Sequence, residues 1–417
     1  MKVFFITTHP AMGTGLARVA NKITNYLANI PDVEVVYYAF QYYKKQIIKD
    51  RFIDPRIKIY DGVEIDPKTP GGFGYNGILP AIVKEKPDVL FYYGNIIVCN
   101  TIMGLIPFEH MPPKKILYAD ITYKWQSPLL YDTLKRFNFD HIWTFLNCWK
   151  DYLINDRGFD SNVVDVLPHG VDFDTFVDVP QNEAKKKLGL KPEDFLVVNM
   201  NRNAGRKNWT ATISSFLQLV KRQNMNSSIK LYCGCELKYE DGYDLIKIVE
   251  LECIRLKMDV DYVFANNLLF STRPFILTDE EVNNIYNAAD VGINTTYGEG
   301  FGLTTIEHLY FNRPQVVTNV PALKETIGKY AYLVEPKIYK HLGQFEHPLG
   351  GFIHDCDSTD FADALEHYYI NRDDRPNARE DIKERYSWEN VYKVLDRFFT
   401  NGSVQPAERP LLSNGRE

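Results

Sequence analysis

Short runs of β-branched and aromatic residues alternate with longer amphipathic stretches along this chain, and the alternation starts twice. The first series runs through 3–8, a helical span at 14–27, then 33–39, 89–93, 115–118 and 141–145. Strands buried on both faces read as short, nearly continuous apolar runs, and amphipathic spans between them read as covering helices, so the pattern predicts a parallel α/β domain. NVVDVLPHGVDFDTF at 162–176 reads as its last strand and a turn, and QNEAKKKLGLKPED at 181–194 as a charged connector helix. The second series has strands at 195–200, 229–233, 262–265, 291–294 and 313–318, with helical spans such as 209–222 and 279–289 between them. Two doubly wound domains facing a cleft follow, at 1–178 and 190–375. A helical segment at 376–400, with Ser387 as N-cap before Trp388 and Glu389, returns from the second domain, and 401–417 reads as an aperiodic tail. Ligands of such sheets bind beyond the carboxyl ends of the strands, so the loops after Thr8, Met200 and Asn294 should share the cleft.

Composition narrows the function. At 417 residues and 45% hydrophobic the chain can bury two or three cores. Net charge is −6 with no long basic run, which argues against a nucleic-acid partner. Residues 1–178 carry 19 Lys and Arg against 20 Asp and Glu, so no polybasic membrane patch stands out. Cys99, Cys148, Cys233, Cys235, Cys253 and Cys356 form no CxxC pair and fit a reducing compartment, so a cytoplasmic location is expected. The opening MKVFFITTHP reads as a first strand rather than a leader peptide. The apolar run at 89–108 is long enough to span a bilayer, but Gly94 and Asn95 divide it into a strand and a helix, so no transmembrane segment is expected.

Chemistry concentrates in GEGFGLTTIE at 298–307. Gly298, Gly300 and Gly302 let backbone approach a ligand, and 303–311 reads as the helix that follows, whose first amides and positive end favour a diphosphate. Glu299 and Glu307 flank that anion and would repel it, so they are expected to accept hydrogen bonds from hydroxyls on either side. NRNAGRKN at 201–208 follows a strand and carries Arg202, Arg206 and Lys207. Cations there would stabilise charge growing on a nucleoside diphosphate leaving group, Arg202 and Lys207 foremost; the alternative is a solvated basic turn. The first loop, THPAMGTGLAR at 8–18, has Gly13 and Gly15, but Arg18 stands where a dinucleotide fingerprint has its third glycine, and the next strand ends in YAFQ without an acidic residue. That disfavours a nicotinamide enzyme and leaves the loop free to meet phosphate or acceptor. Asp120 and His169 both follow first-domain strands, as cleft residues or as turn caps. Asp172 and Asp174 form a DxD, as do Asp259 with Asp261 and Asp355 with Asp357, so the spacing alone carries little and no catalytic metal or other cofactor is expected.

Taken in order, these motifs resemble those of the retaining nucleotide-sugar glycosyltransferases of family 4, which have the GT-B fold of two facing Rossmann-like domains with a C-terminal crossover helix. EGFGLTTIE matches the family's E-x7-E motif, and Arg202 with Lys207 its Arg and Lys pair. HGVDFDTF at 169–176 is similar to its N-G-V-D turn, and Ser387, Trp388 and Glu389 to the start of its crossover helix. The resemblance implies that Glu307 binds the donor ribose, that Glu299 contacts the transferred sugar, and that the turn through Gly300, Phe301, Gly302, Leu303 and Thr304 holds the diphosphate. It also implies Phe275 near the base, Gly13, Gly15 and His169 on the donor side, and Asp120 where the family often has a sugar-contacting His. The implied reaction moves a hexose, from GDP-mannose first and UDP-glucose next, to a hydroxyl of a glycan, glycoprotein or lipid, with retention by front-face attack and without metal. A homodimer is compatible with it. A nucleotide-sugar epimerase of the same fold and a non-catalytic nucleotide-sugar binder are the alternatives. Departures are His169 for the turn Asn, Asn312, Arg313 and Pro314 for a G-x-P, a glycine-free loop at 317–325, and Arg206 between the paired cations.

Overall fold

The computed structural model describes residues 1–240, 242–273, 276–342 and 350–400; Phe275 and the 401–417 tail lie outside them. The first sheet contains β1 (Lys2–Thr8), β2 (Glu34–Phe40), β3 (Lys58–Asp61), β4 (Val89–Asn95), β5 (Lys114–Asp120), β6 (His141–Thr144) and β7 (Val164–Val166). All its pairings are parallel, in the order β3-β2-β1-β4-β5-β6-β7. The second contains β8 (Phe195–Asn199), β9 (Ile229–Cys233), β10 (Leu268–Phe270), β11 (Val291–Asn294), β12 (Gln315–Thr318) and β13 (Tyr332–Val334), also parallel, in the order β10-β9-β8-β11-β12-β13. In each sheet the order reverses between the first strand of the unit and the fourth, β1 beside β4 and β8 beside β11. Each reversal opens a crevice at the strand ends, the usual ligand position of doubly wound folds.

The apolar run at 89–108 divides as expected. β4 is buried through Gly94, and Asn95 then caps the Ile96–Leu105 helix by accepting the Val98 amide at 2.9 Å. Among the described residues no helix is long and apolar enough to cross a membrane.

The strand expected at 262–265 is instead part of a helix, Val260–Asn266, and the strand follows at β10. The Asp259 carboxylate accepts the Tyr262 amide at 3.0 Å and so starts a helix across a run whose β-branched and aromatic residues suit either state. β12 starts at Gln315 rather than at 313, and Arg313 turns back to donate to the Asn287 carbonyl at 2.7 Å. β3, β13 and an antiparallel hairpin, β14 (Ile338–Leu342) with β15 (Gly351–Asp355), are additions to the expected strands.

Three contacts set the domains against each other. The Glu325 carboxylate accepts the amides of Asn147 at 2.9 Å and Cys148 at 2.7 Å, capping the first-domain Asn147–Asp151 helix from the second domain. The Trp149 indole N–H donates to the Gly300 carbonyl at 2.8 Å. On β15 the Phe352 amide donates to Lys124 at 3.0 Å and the His354 amide to Tyr297 at 3.1 Å, so the hairpin joins a first-domain loop to the cleft turn. The chain then returns. In the Trp388–Thr400 helix Val391, Leu395 and Phe399 enter the first domain's core, and Tyr392 stacks on Tyr26 at 4.0 Å. Ser387 has extended backbone before this helix, and its carbonyl accepts the Asn390 amide at 3.1 Å.

Candidate functional site

Between β11 and the Leu303–Tyr310 helix the chain makes the Gly-rich turn. Gly302 ends it at φ 97°, a left-handed conformation that glycine adopts without strain, and its carbonyl accepts the Thr305 and Ile306 amides at 3.1 Å. The Leu303 and Thr304 amides that precede them have no carbonyl one turn back to donate to and lie at the helix's positive end.

Gly298 and Gly300 are where the turn meets the first domain. A Cβ on Gly298 would lie 2.3 Å from the Tyr123 ring and 2.9 Å from the Thr122 carbonyl oxygen, and one on Gly300 would lie 2.9 Å from the Asp120 carboxylate. The space they leave is filled by the first-domain loop after β5, so at these glycines the two domains come close at the cleft floor.

Glu299 is buried at 8% exposure and ion-paired twice. Lys207 bonds its Oε2, and Arg206 reaches the same oxygen at 3.2 Å and the Gly298 carbonyl at 3.0 Å. Burial alone would raise the carboxyl's pKa, but Arg206 and Lys207 outweigh it and hold Glu299 ionised, down to about 2. Burial, then the like charge of Arg206, lowers Lys207 to about 7 against the opposing pull of Glu299. Lys207 also donates to Asn201 Oδ1 at 2.7 Å. Arg202, on the same loop, is exposed; its carbonyl accepts the Trp209 indole N–H at 3.0 Å. Desolvation in the cleft, then Arg206, lowers the Arg202 pKa. Half-buried Asp120 faces this cluster beside Gly300, its pKa raised by desolvation, with Arg206 opposing and Glu299 adding to the rise.

Glu307, on the Leu303–Tyr310 helix, is 4% exposed. The Tyr286 hydroxyl donates to its Oε2 at 3.2 Å, and Arg18 of the first domain donates to its Oε1. Desolvation opposes the Arg18 charge, and Glu307 more than offsets it, raising the Arg18 pKa. Gly15 lies one short contact from Leu303, to which an added Cβ would come within 3.3 Å, while the Gly13 amide donates to the Gln46 carbonyl at 2.7 Å. The loop after Thr8 therefore meets the start of the Leu303–Tyr310 helix.

His169 lies behind the turn rather than on the cleft wall. It is 4% exposed and packs against Phe145 at 4.0 Å and Phe301 at 4.9 Å. Both ring nitrogens are engaged: Nε2 by the Tyr93 hydroxyl at 3.3 Å and Nδ1 by the Tyr118 hydroxyl at 2.7 Å. Tyr118 donates its own proton to the Leu167 carbonyl at 2.8 Å. The assignment that satisfies every proton therefore has neutral His169 donating from Nδ1 and accepting at Nε2.

Arg18 and Tyr286 are the site residues that sequence reasoning missed. Arg18 was visible only as a misfit in a dinucleotide fingerprint. The DxD pairs are accounted for locally, with Lys22 pairing Asp172 at 2.5 Å, Asp259 capping one helix and Asp357 another. Among the described residues no group of three or more His, Cys, Asp or Glu is placed to hold a metal ion.

A family model for Glycosyl transferases group 1 matches residues 263–369. The mannosylfructose-phosphate synthase of Agrobacterium fabrum is 25% identical over 55% of this chain and 49% of its own length. A D-inositol 3-phosphate glycosyltransferase of Paenarthrobacter aurescens is 22% identical over 58% of this chain and 53% of its own. The chain thus matches about half the length of these curated relatives. Solved structures match along nearly all of it. HepE of Anabaena, in complex with UDP and glucose, has a TM-score of 0.67 at 12% identity, covering 96% of this chain and 99% of that one. Sucrose-phosphate synthase of Thermosynechococcus elongatus has a TM-score of 0.67 at 14% identity, covering 96% and 98%. With both sheets in Rossmann order, a chain-long structural match to these proteins and a group 1 glycosyl transferase segment at 263–369, the fold is that of the GT-B glycosyltransferases.

Proposed function

We propose that the protein is a retaining glycosyltransferase that moves a hexose from a nucleoside diphosphate sugar to a hydroxyl acceptor. The observation that carries this reading is the pair of carboxylates on either side of a Gly-rich helix start, Glu299 against Arg206 and Lys207 and Glu307 one helical turn in, at the crevice between two Rossmann-like sheets. In this reading the first amides of the Leu303–Tyr310 helix hold the diphosphate, Glu307 accepts from ribose hydroxyls, and Glu299 accepts from the sugar. Asp120 lies across the cleft floor, where an acceptor hydroxyl or the sugar would meet it. Arg202 faces the leaving diphosphate, and this local positive charge supports a reaction without a metal. The buried ion pairs of Glu299 favour a fixed, orienting carboxylate over a nucleophile, in keeping with front-face attack.

GDP-mannose is the favoured donor, supported by the mannosyl product in the name of one relative. UDP-glucose is the rival, supported by the UDP and glucose bound to one structural neighbour. Calorimetric titration with UDP-, GDP- and ADP-sugars would choose between them. In the same titration Glu307→Ala is expected to weaken donor binding by about 1–3 kcal/mol, the scale of hydrogen bonds lost to a charged group. A donor Kd equal to wild type would remove Glu307 from the ribose. Release of free sugar nucleotide isomers instead of a glycoside would favour the epimerase reading.

A further inference from the structure

Both oxygens of the Glu307 carboxylate have partners, and the partners come from different domains. Tyr286 belongs to the Asp279–Ala288 helix of the second domain; Arg18 belongs to the Gly15–Leu27 helix of the first, 289 residues away from Glu307 in sequence. Arg18 is delivered there by several separate features. Thr14 caps its helix by accepting the Ala17 amide at 3.3 Å, and Gly15 permits the approach to Leu303. Arg51 ties down the preceding loop by donating to the carbonyls of Pro10 at 2.9 Å and Met12 at 2.5 Å. The nearby Lys22 is paired with Asp172. The two ends of the Arg18 bridge differ in freedom: the Glu307 side chain is 5% exposed and the Arg18 side chain 39%. A buried carboxylate on a helix stays in place, whereas a long, partly solvated arginine can swing away.

We propose that Arg18 is an internal competitor for the nucleotide's ribose, a first-domain guanidinium that holds Glu307 until vicinal hydroxyls displace it. The inference rests on the reading of Glu307 as the ribose-binding carboxylate. With these partners in place the Glu307 side chain is only 5% exposed, so ribose hydroxyls reach its free lone pairs by moving a partner aside, and Arg18, at 39% exposure, is the one that can leave. Nucleotide binding therefore breaks an interdomain ion pair, and its affinity is lowered by the strength of that pair. A ligand without ribose hydroxyls leaves the pair intact and escapes this competition.

Calorimetric titration of wild type and Arg18→Ala with UDP and GDP, and with their 2′,3′-dideoxy counterparts, tests the proposal. Arg18→Ala is expected to bind the ribonucleoside diphosphates roughly tenfold tighter, the scale of one charge-assisted hydrogen bond relieved, and to bind the dideoxy ligands as wild type does. Weaker or unchanged binding of UDP and GDP by Arg18→Ala would overturn it, as would equal tightening for both ligand classes. Arg18→Lys, which keeps the charge but not the planar fork, is expected to fall between, and its melting curve checks that the loop still folds. The ribose reading fails separately: if wild type binds ribo and dideoxy ligands equally and Glu307→Ala changes neither, Glu307 does not bind ribose whatever Arg18 does.

Discussion

Arg202→Ala is expected to lower kcat by roughly 10²- to 10³-fold while changing donor KM far less, the effect of removing one pre-organised charge stabiliser. Three cations follow β8, but they are not equivalent. Arg206 and Lys207 are both committed to Glu299, and Lys207 also to Asn201. Among the described residues no carboxylate is ion-paired with Arg202, which is exposed in the cleft while its backbone is anchored by the Trp209 indole. Desolvation and the repulsion of Arg206 work against its charge, and the opposite charge of an arriving anion offsets both. A diphosphate that becomes more negative as the glycosidic bond breaks offsets them further, so the interaction grows towards the transition state and appears in kcat. Steady-state kinetics with the preferred donor measure it. Unchanged turnover would move the role to another cation, and partial recovery in Arg202→Lys would confirm that charge, more than the guanidinium fork, carries it.

The legible parts of this chain were those in which a local pattern has one physical solution. β1, β4, β8 and β11 are buried on both faces, so their apolar runs could hardly be anything else. The left-handed Gly302 before an apolar helix likewise marks a helix start from sequence alone. Where the pattern has two solutions, tertiary contacts decided: the run at 260–266 became a helix because Asp259 could cap it. The β14–β15 hairpin gave little signal because its residues Ile338 and Tyr339 are 57% and 59% exposed, so no buried face imposes an alternation. At the site, residue types were readable and partners were not. Glu307 was recognisable as a ligand-facing carboxylate, yet nothing local ties it to Arg18. Gly298 and Gly300 were recognisable as close-approach positions, but what approaches is the Asp120–Tyr123 loop of the other domain.

Acid is expected to destabilise the protein strongly, in large part through two histidines that bracket the Gly-rich turn. His169 packs behind Phe301, and His308, next to Glu307, is 2% exposed and stacks on Tyr286 at 4.8 Å. Burial holds each imidazole neutral, with pKa lowered to about 3; Arg18 adds to the effect at His169 and Arg313 at His308. In the unfolded chain both titrate near 6.5. Between those values the unfolded state binds two protons that the folded state refuses, so the stability is fully present above pH 6.5 and declines as pH falls towards 3. At pH 5 the loss is about 2 kcal/mol for each histidine, about 4 for the pair. Carboxylates titrate mainly below about pH 5, and Asp120, whose pKa is raised, acts in the opposite sense, so the comparison is made above pH 5 and with variants. Burial also lowers His9 to about 4, which adds in the same sense, so urea denaturation of wild type at pH 7.5 and pH 5 should differ by at least that amount, and His308→Gln, which cannot titrate, should remove about 2 kcal/mol of the difference. Equal pH sensitivity in the variant would mean that His308 admits a proton when folded. Because Tyr286 bonds the Glu307 carboxylate and stacks on His308, a charge arriving on that ring would also be felt at Glu307. Folded His308 takes that charge only towards pH 3, so between pH 7.5 and pH 5 donor affinity should not fall through it, and His308→Gln should show the same donor-affinity profile as wild type over that range.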